Sequence, residues 1–293
     1  MCFVPTNGYS QFCATSFCSG IVPLVKNKYD DLCSLNTYRD ITLTPVISKL
    51  FESILLNKCE EHLVTDELQF GFKKAIGCPQ AVFTLQSVVE YFNVRGSSVF
   101  AAALHITKAF DTVKHSLLFR SLTQAGVPTW IVLLIVNWYS KLSVAVRWNG
   151  AISRYFTVKS GVRQLILSPS LFTVFINVLI VRLRESGDGG IVNNQYVGCI
   201  VYADDIILSY TIRGLQHMLN TCYEIAANLK LVFNCNKSKC ITFGPGCKLD
   251  YMICILQTLL IFAVNMVTLW CDVKFVCIEN LWTVLDVCVI LNK

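Results

Sequence analysis

The chain has 293 residues, enough for one large or two ordinary domains around a sizeable core. Apolar residues make up 54% and charged residues only 15%, which excludes a disordered segment, a collagen-like repeat and a coiled coil. The formal net charge is +6, a modest excess that is unevenly spread.

Residues 1–13 lack a basic stretch followed by an apolar one, so no secretory signal is expected. Fifteen cysteines run from Cys2 to Cys288 without a Cys-x-x-Cys pair, and His62, His105, His115 and His217 stand apart from paired cysteines. Zinc-ligand spacing is therefore absent, and reduced, intracellular, core-filling thiols are expected.

Residues 44–63 read as a helix, with Val46, Ile47, Leu50, Phe51, Ile54, Leu55, Cys59 and Leu63 at helical spacing. Residues 80–92 repeat the pattern. Residues 97–106 form a nearly continuous apolar run after Gly96, which predicts a strand buried on both faces. A helix is expected from Phe110 and another over 128–140. Residues 143–148 and 153–158 read as a hairpin around Asn149-Gly150. Residues 168–185 read as a helix, with Ser168 as its cap and Pro169 at its first position. In residues 198–210, apolar runs at Cys199–Tyr202 and Ile206–Leu208 flank Asp204-Asp205, which gives strand, tight turn, strand. Leu215, Met218, Leu219, Cys222, Ile225 and Leu229 then line an amphipathic helix over 214–230. Strand, helix, hairpin, helix is the order of a split βαβ sheet.

No acidic residue occurs between Asp111 and Glu185, while Lys114, Arg120, Lys141, Arg147, Arg154, Lys159, Arg163, Arg182 and Arg184 all lie there. A one-sign stretch of this length suits a polyanion, nucleic acid being the commonest; the other reading is a solvated basic face. Trp138, Tyr139, Trp148, Tyr155 and Phe156 lie among these charges, either to stack bases or to fill a core.

Two adjacent aspartates at a hairpin tip repel each other, and holding both ionised needs a cation. Carboxylates suit a hard divalent ion such as Mg²⁺, which takes one or two of them plus substrate phosphates. A pair of such ions aligns an attacking hydroxyl with a leaving pyrophosphate, and the arrangement needs a further carboxylate from a neighbouring strand. The alternative is that the two aspartates only mark a turn, where Asp is common.

Tyr202-Ala203-Asp204-Asp205 resembles the YxDD box of reverse transcriptases. Tyr38-Arg39-Asp40-Ile41-Thr42-Leu43 with Val46-Ile47-Ser48-Lys49, and Gln69-Phe70-Gly71-Phe72-Lys73-Lys74, resemble the fingers motifs of that family. Thr107 to Val113 resembles its first palm motif. Ser160-Gly161-Val162-Arg163-Gln164 with Ser168-Pro169-Ser170-Leu171-Phe172 resembles the next one, and Asn234 with Lys237-Ser238-Lys239 fits the stretch after the following helix. Order and spacing hold from Gly20 to Gly246. The chain is similar to the reverse transcriptases of non-LTR, LINE-like and jockey-type retrotransposons.

The resemblance implies an RNA-directed DNA polymerase of α+β class with a right-hand fold. The expected division is fingers over 1–97, palm over 98–247 with fingers/palm insertions, and a degenerate apolar tail over 248–293, with the thumb largely missing. The palm would be a split βαβ, ferredoxin-like antiparallel sheet with helices on one face. Asp204 and Asp205 would hold catalytic Mg²⁺, for which Mn²⁺ is a substitute. Phe110 matches the residue that excludes a ribose 2′-hydroxyl; read alone it is an ordinary core aromatic. Arg39, Lys73 and Lys74 would hold triphosphate oxygens. Tyr202 and Gln164 would sit near the nucleotide and template, and Lys237 or Lys239 near the pyrophosphate. The implied partners are an RNA template, a DNA primer and deoxynucleoside triphosphates, in the nucleus or cytoplasm.

Four departures stand out. His105 occupies the position five residues before Phe110 where the family has a metal-binding Asp, and imidazole is a poor partner for Mg²⁺. Leu165-Ile166-Leu167 is one residue shorter than the family's stretch and lacks its Gly. Asp40 stands where Pro is usual, and Gly77-Cys78-Pro79 replaces a small polar or basic stretch. The first two predict an impaired polymerase; the alternative function is a catalytically dead remnant that binds RNA or RNA–DNA hybrid. No endonuclease-like region is expected before the fingers motifs. Residues 251–271 carry no charge and are long enough to span a bilayer, but Gln257, Thr258, Asn265 and Thr268 weigh against it, and no membrane partner is expected.

Overall fold

The computed structural model describes residues 19–26, 29, 31–162 and 166–244. In chain order the main elements are β1 (Ser19–Val25), β2 (Tyr38–Leu43), α1 (Val46–Cys59), α2 (Cys78–Val94), β3 (Val99–His105), α3 (Ala109–Thr112), α4 (His115–Gln124) and α5 (Thr129–Ser140). They continue with β4 (Ser143–Trp148), β5 (Ala151–Ile152), β6 (Phe156–Thr157), α6 (Ser168–Glu185), β7 (Ile191–Val192), β8 (Gln195–Tyr196), β9 (Cys199–Tyr202), β10 (Asp205–Tyr210), α7 (Ile212–Leu229) and β11 (Lys239–Phe243). They fall into two compact units, each built from two stretches of chain.

The first unit takes the residues up to Leu63 and Lys114–Ser168. Its sheet is mixed, in the order β2-β1-β4-β5, with β6 also on β4. β1 runs antiparallel to β2 and parallel to β4. Asn149 and Gly150 both have positive φ, at 45° and 82°, the geometry of a two-residue type I′ turn, and this gives the expected hairpin. The returning strand, expected whole over 153–158, is broken: Ala151–Ile152 pairs at the turn, and Phe156–Thr157 pairs with the start of β4. In α4 and α5, Leu118, Leu122, Ile131 and Ile135 are fully buried. The Tyr139 ring packs edge-on against His115 and Phe119, with centroids 5.0 and 5.9 Å away.

α1 forms where its periodicity predicts, but the buried side differs. Ser48, Glu52, Leu55 and Cys59 are buried, while Val46, Ile47, Leu50 and Ile54 are exposed. Glu52 is drawn inward because its Oε2 accepts a hydrogen bond from the Leu167 amide at 3.0 Å. Such a charge-assisted bond offsets part of the cost of desolvating the carboxylate.

The second unit takes Val64–Val113 and the chain from Pro169 onward. Its sheet is fully antiparallel, in the order β11-β3-β10-β9. The apolar run Val99–His105 becomes the interior strand β3, and both of its faces are covered, as its composition requires. On one face Val99, Ala101, Ile200 and Phe243 pack with Ala81, Leu85 and Val89 of α2. On the other, Ala102, Leu104, Ile206 and Leu208 are buried, and α7 runs against β10 and β3 with Leu215, Met218 and Cys222 fully buried. The expected helix layer is thus joined by α2 on the opposite face. The expected division at 97/98 falls inside this unit, between α2 and β3.

α6 buries Leu171, Phe172, Phe175, Ile176, Leu179, Ile180 and Leu183, which line one face, while Val178 and Val181 are exposed. Among the described residues, no helix is long and apolar enough to cross a membrane. Residues 251–271 lie outside the described residues, as does the rest of the expected tail.

Candidate active site

The β9–β10 hairpin forms the centre of the site. Tyr202 pairs with Asp205, so Ala203 and Asp204 are a two-residue turn. Ala203 has φ of 58° and Asp204 does not share it, a pattern in which Gly is the usual first residue. An alanine held left-handed costs about 1–2 kcal/mol, so the surroundings must enforce the turn.

Residues 68–71 do so. The Phe70 amide donates to the Val201 carbonyl at 2.7 Å and the Val201 amide to the Leu68 carbonyl at 2.9 Å. The fully buried Gln69 turns its Oε1 to accept from the Gly71 amide at 2.9 Å and the Ala203 amide at 3.3 Å. Gly71 must be glycine for a steric reason: a Cβ there would lie 2.5 Å from the Ala203 amide nitrogen. The opposite side of the turn is held by the Ile106 amide, which donates to the Asp204 carbonyl at 3.0 Å.

Antiparallel register places His105 of β3 directly opposite Asp205. Its Nδ1 lies 2.8 Å from Asp205 Oδ1 and 3.5 Å from Asp204 Oδ2. Its backbone is clamped as well, the carbonyl accepting from the Asn234 amide at 2.7 Å and the amide donating to Ser238 Oγ at 3.3 Å. The exposed Lys237 brings its Nζ to 3.5 Å from His105 Nε2. Burial, then the Asp205 charge, push the Asp204 carboxyl above the usual carboxylate range, while His105 and Lys237 pull it back.

His105, Asp204 and Asp205 are the group among the described residues whose ligating atoms could hold a metal ion, all within 4.8 Å of one another. The two carboxylates fit a hard divalent ion. The set as a whole does not fit a pair of Mg²⁺ ions, because its third donor is an imidazole nitrogen where a shared oxygen is needed. The exposed Asp111, on α3, is not part of the group.

The other sequence-predicted residues are distributed as follows. Phe110, on α3, sets its ring 4.9 Å from the buried Phe172 and 5.9 Å from Phe72. Tyr202 packs on the α2 side of the sheet. Lys73 donates from Nζ to the Asp66 carbonyl at 2.5 Å and the Thr65 carbonyl at 3.4 Å, and burial lowers its pKa. Arg39 is an exposed residue of β2 in the first unit, and Lys239 is exposed at the start of β11. Gln164 lies outside the described residues. Sequence reasoning missed Gln69; its signal was a polar residue between Leu68 and Phe70 in a stretch already singled out for Lys73.

A family model described as Reverse transcriptase (RNA-dependent DNA polymerase) matches residues 25–263. The chain is similar to the Retrovirus-related Pol polyprotein from type-2 retrotransposable element R2DM of Drosophila melanogaster. The two are 28% identical over 209 residues, which is 71% of this chain and 20% of that protein. It is also similar to the RNA-directed DNA polymerase from mobile element jockey of the same organism, 26% identical over 236 residues, 74% of this chain and 25% of that protein. The chain thus spans a quarter or less of these relatives' length. Among solved structures, the apo telomerase of Candida tropicalis truncated from its C-terminal domain aligns with TM-score 0.57 at 11% identity, over 82% of this chain and 53% of that one; at such identity it speaks for the fold. A match that takes in the Asp204-Asp205 hairpin, the Gln69 brace beneath it and most of both units places this chain in the reverse transcriptase family of RNA-dependent DNA polymerases.

Proposed function

We propose that this chain is the nucleotide-joining core of a retrotransposon polymerase. It would add deoxynucleotides from their triphosphates to the 3′-hydroxyl of a DNA primer along an RNA template. The observation that carries this reading is the pair of carboxylates on a braced hairpin tip, set against the neighbouring strand within the family match. Divalent metal is general to the family, and Mg²⁺ is the ion the resemblance implies. Asp204 and Asp205 would hold one such ion, which would supply activation of the hydroxyl and charge neutralisation at the leaving pyrophosphate. Phe110, Tyr202 and Gln164 would position the nucleotide and template; Arg39, Lys73 and Lys237 would contact phosphate oxygens.

His105 in the third carboxylate's place makes this copy slow. It removes a negative charge from a site whose chemistry draws several kcal/mol from bound metal. A second reading, a remnant that binds RNA or hybrid without extending it, is favoured by the run of basic residues without an acidic one between Asp111 and Glu185.

Primer extension on poly(rA)/oligo(dT) with Mg²⁺ separates the two. The native chain should extend little, and His105→Asp should raise the rate by several orders of magnitude. Glycine inserted after Gln164 should raise it further. A native chain that extends as fast as His105→Asp refutes the impairment. If no variant extends while hybrid is still retained, the binding remnant is the correct reading.

A further inference from the structure

We propose that His105, Asp204 and Asp205 form a mixed nitrogen–oxygen site for one divalent transition ion, selected over Mg²⁺. The inference rests on the polymerase reading only for where metal chemistry belongs; the choice of ion follows from the geometry.

The ligating atoms all lie within 4.8 Å of one another, near enough to converge on a single ion with small shifts. His105 Nδ1 lies 2.8 Å from Asp205 Oδ1 and 3.5 Å from Asp204 Oδ2. An ion with ligand bonds of about 2.1 Å sets neighbouring ligand atoms roughly 3.0–3.4 Å apart. The three side chains come from paired strands and a braced turn, so little rearrangement is needed to close them on an ion. The donor chemistry then discriminates. Imidazole with carboxylate suits Mn²⁺, Zn²⁺ and their neighbours, whereas Mg²⁺ asks for oxygen throughout.

The surrounding contacts define the ion-free state. Nδ1–H donates to Asp205, and Nε2 faces the Lys237 ammonium at 3.5 Å. On binding, the ring must present an unprotonated Nδ1 to the ion and carry its N–H on Nε2. The ammonium then meets an N–H and turns into solvent, which the exposed position of Lys237 permits. Lys237 therefore holds the ring in its ion-free form.

The test is titration of the full chain with Mn²⁺, followed by the electron paramagnetic resonance of the free ion, with Mg²⁺ as competitor. Mn²⁺ is the probe because the fifteen thiols compete for Zn²⁺ far more than for Mn²⁺. The native chain should retain one Mn²⁺ against a large excess of Mg²⁺. His105→Ala should weaken Mn²⁺ by about 10–100-fold. His105→Asp should keep Mn²⁺ but lower the preference for it over Mg²⁺ by about tenfold or more. Lys237→Ala, at an exposed position, should tighten Mn²⁺ several-fold. Equal Mn²⁺-to-Mg²⁺ preference in the native chain and His105→Asp overturns the proposal, as does absence of retained Mn²⁺ in both the native chain and Lys237→Ala. Hybrid binding, measured on the same samples, tests the polymerase reading separately: hybrid retained without Mn²⁺ rejects only the ion site.

Discussion

Asp204 bears the electrostatic strain of the site. Burial and the Asp205 charge raise its pKa, so the folded chain holds that proton more tightly than the unfolded chain does. Stability linked to the neutral carboxyl is complete below the ordinary value of about 3.9 and is lost as pH rises through the raised one. Asp204→Asn keeps the shape and removes the ionisation. In chelator, the variant should melt above the native chain at neutral pH, and the two should converge toward about pH 4. Equal melting temperatures at neutral pH would refute that strain. Ala203, next to it, is held at φ of 58°. Ala203→Gly should stabilise the fold by about 1 kcal/mol, read as a rise in denaturation midpoint with unchanged slope. Such gains at an active site commonly trade against activity.

At the scale of elements, the hairpin depends on residues 68–71. Gln69→Ala strips two backbone amides of their buried acceptor and should cost about 1–3 kcal/mol, measured by chemical denaturation. In the His105→Asp background it should also lower primer extension, because the turn that aims Asp204 loosens. Gly71→Ala should do the same by forcing a methyl into the Ala203 backbone, at a cost of about 1–3 kcal/mol. The hairpin itself was legible in the sequence, since two apolar runs around two aspartates allow little else. So was the turn at Asn149-Gly150. What holds the first turn was not: Gln69 meets Ala203 across 134 residues, and local pattern carries no record of such a contact. α1 shows the same limit. Its spacing predicted a helix, but which side is buried was decided by Glu52 and Leu167, 115 residues apart. Lys73 reads as a cation for phosphate, yet its ammonium rests on the Thr65 and Asp66 carbonyls, partners that its charge does not reveal.

For the whole molecule, the basic residues between Asp111 and Glu185 make salt the first variable to test. Binding of RNA–DNA hybrid should fall steeply with salt, and neutralising Arg147 and Arg154 together should reduce the log–log slope by about 2 if each meets a phosphate. An unchanged slope would make these residues a solvated face. The antiparallel sheet of the second unit has one further consequence, which concerns the order of synthesis. β3 is an interior strand, flanked by β10 and β11, yet it is made first. His105 and its partner Asp205 are 100 residues apart. At about 5–20 residues per second, the ribosome needs on the order of 5–20 s to supply the first neighbour. Throughout that interval Val99–His105, an apolar run with two unpaired edges, has no sheet to join. A nascent chain of this family member therefore passes through a window in which an interior strand of its sheet is exposed and unpaired. Yield of folded protein should depend on chaperone supply during that window more than on the stability of the finished fold.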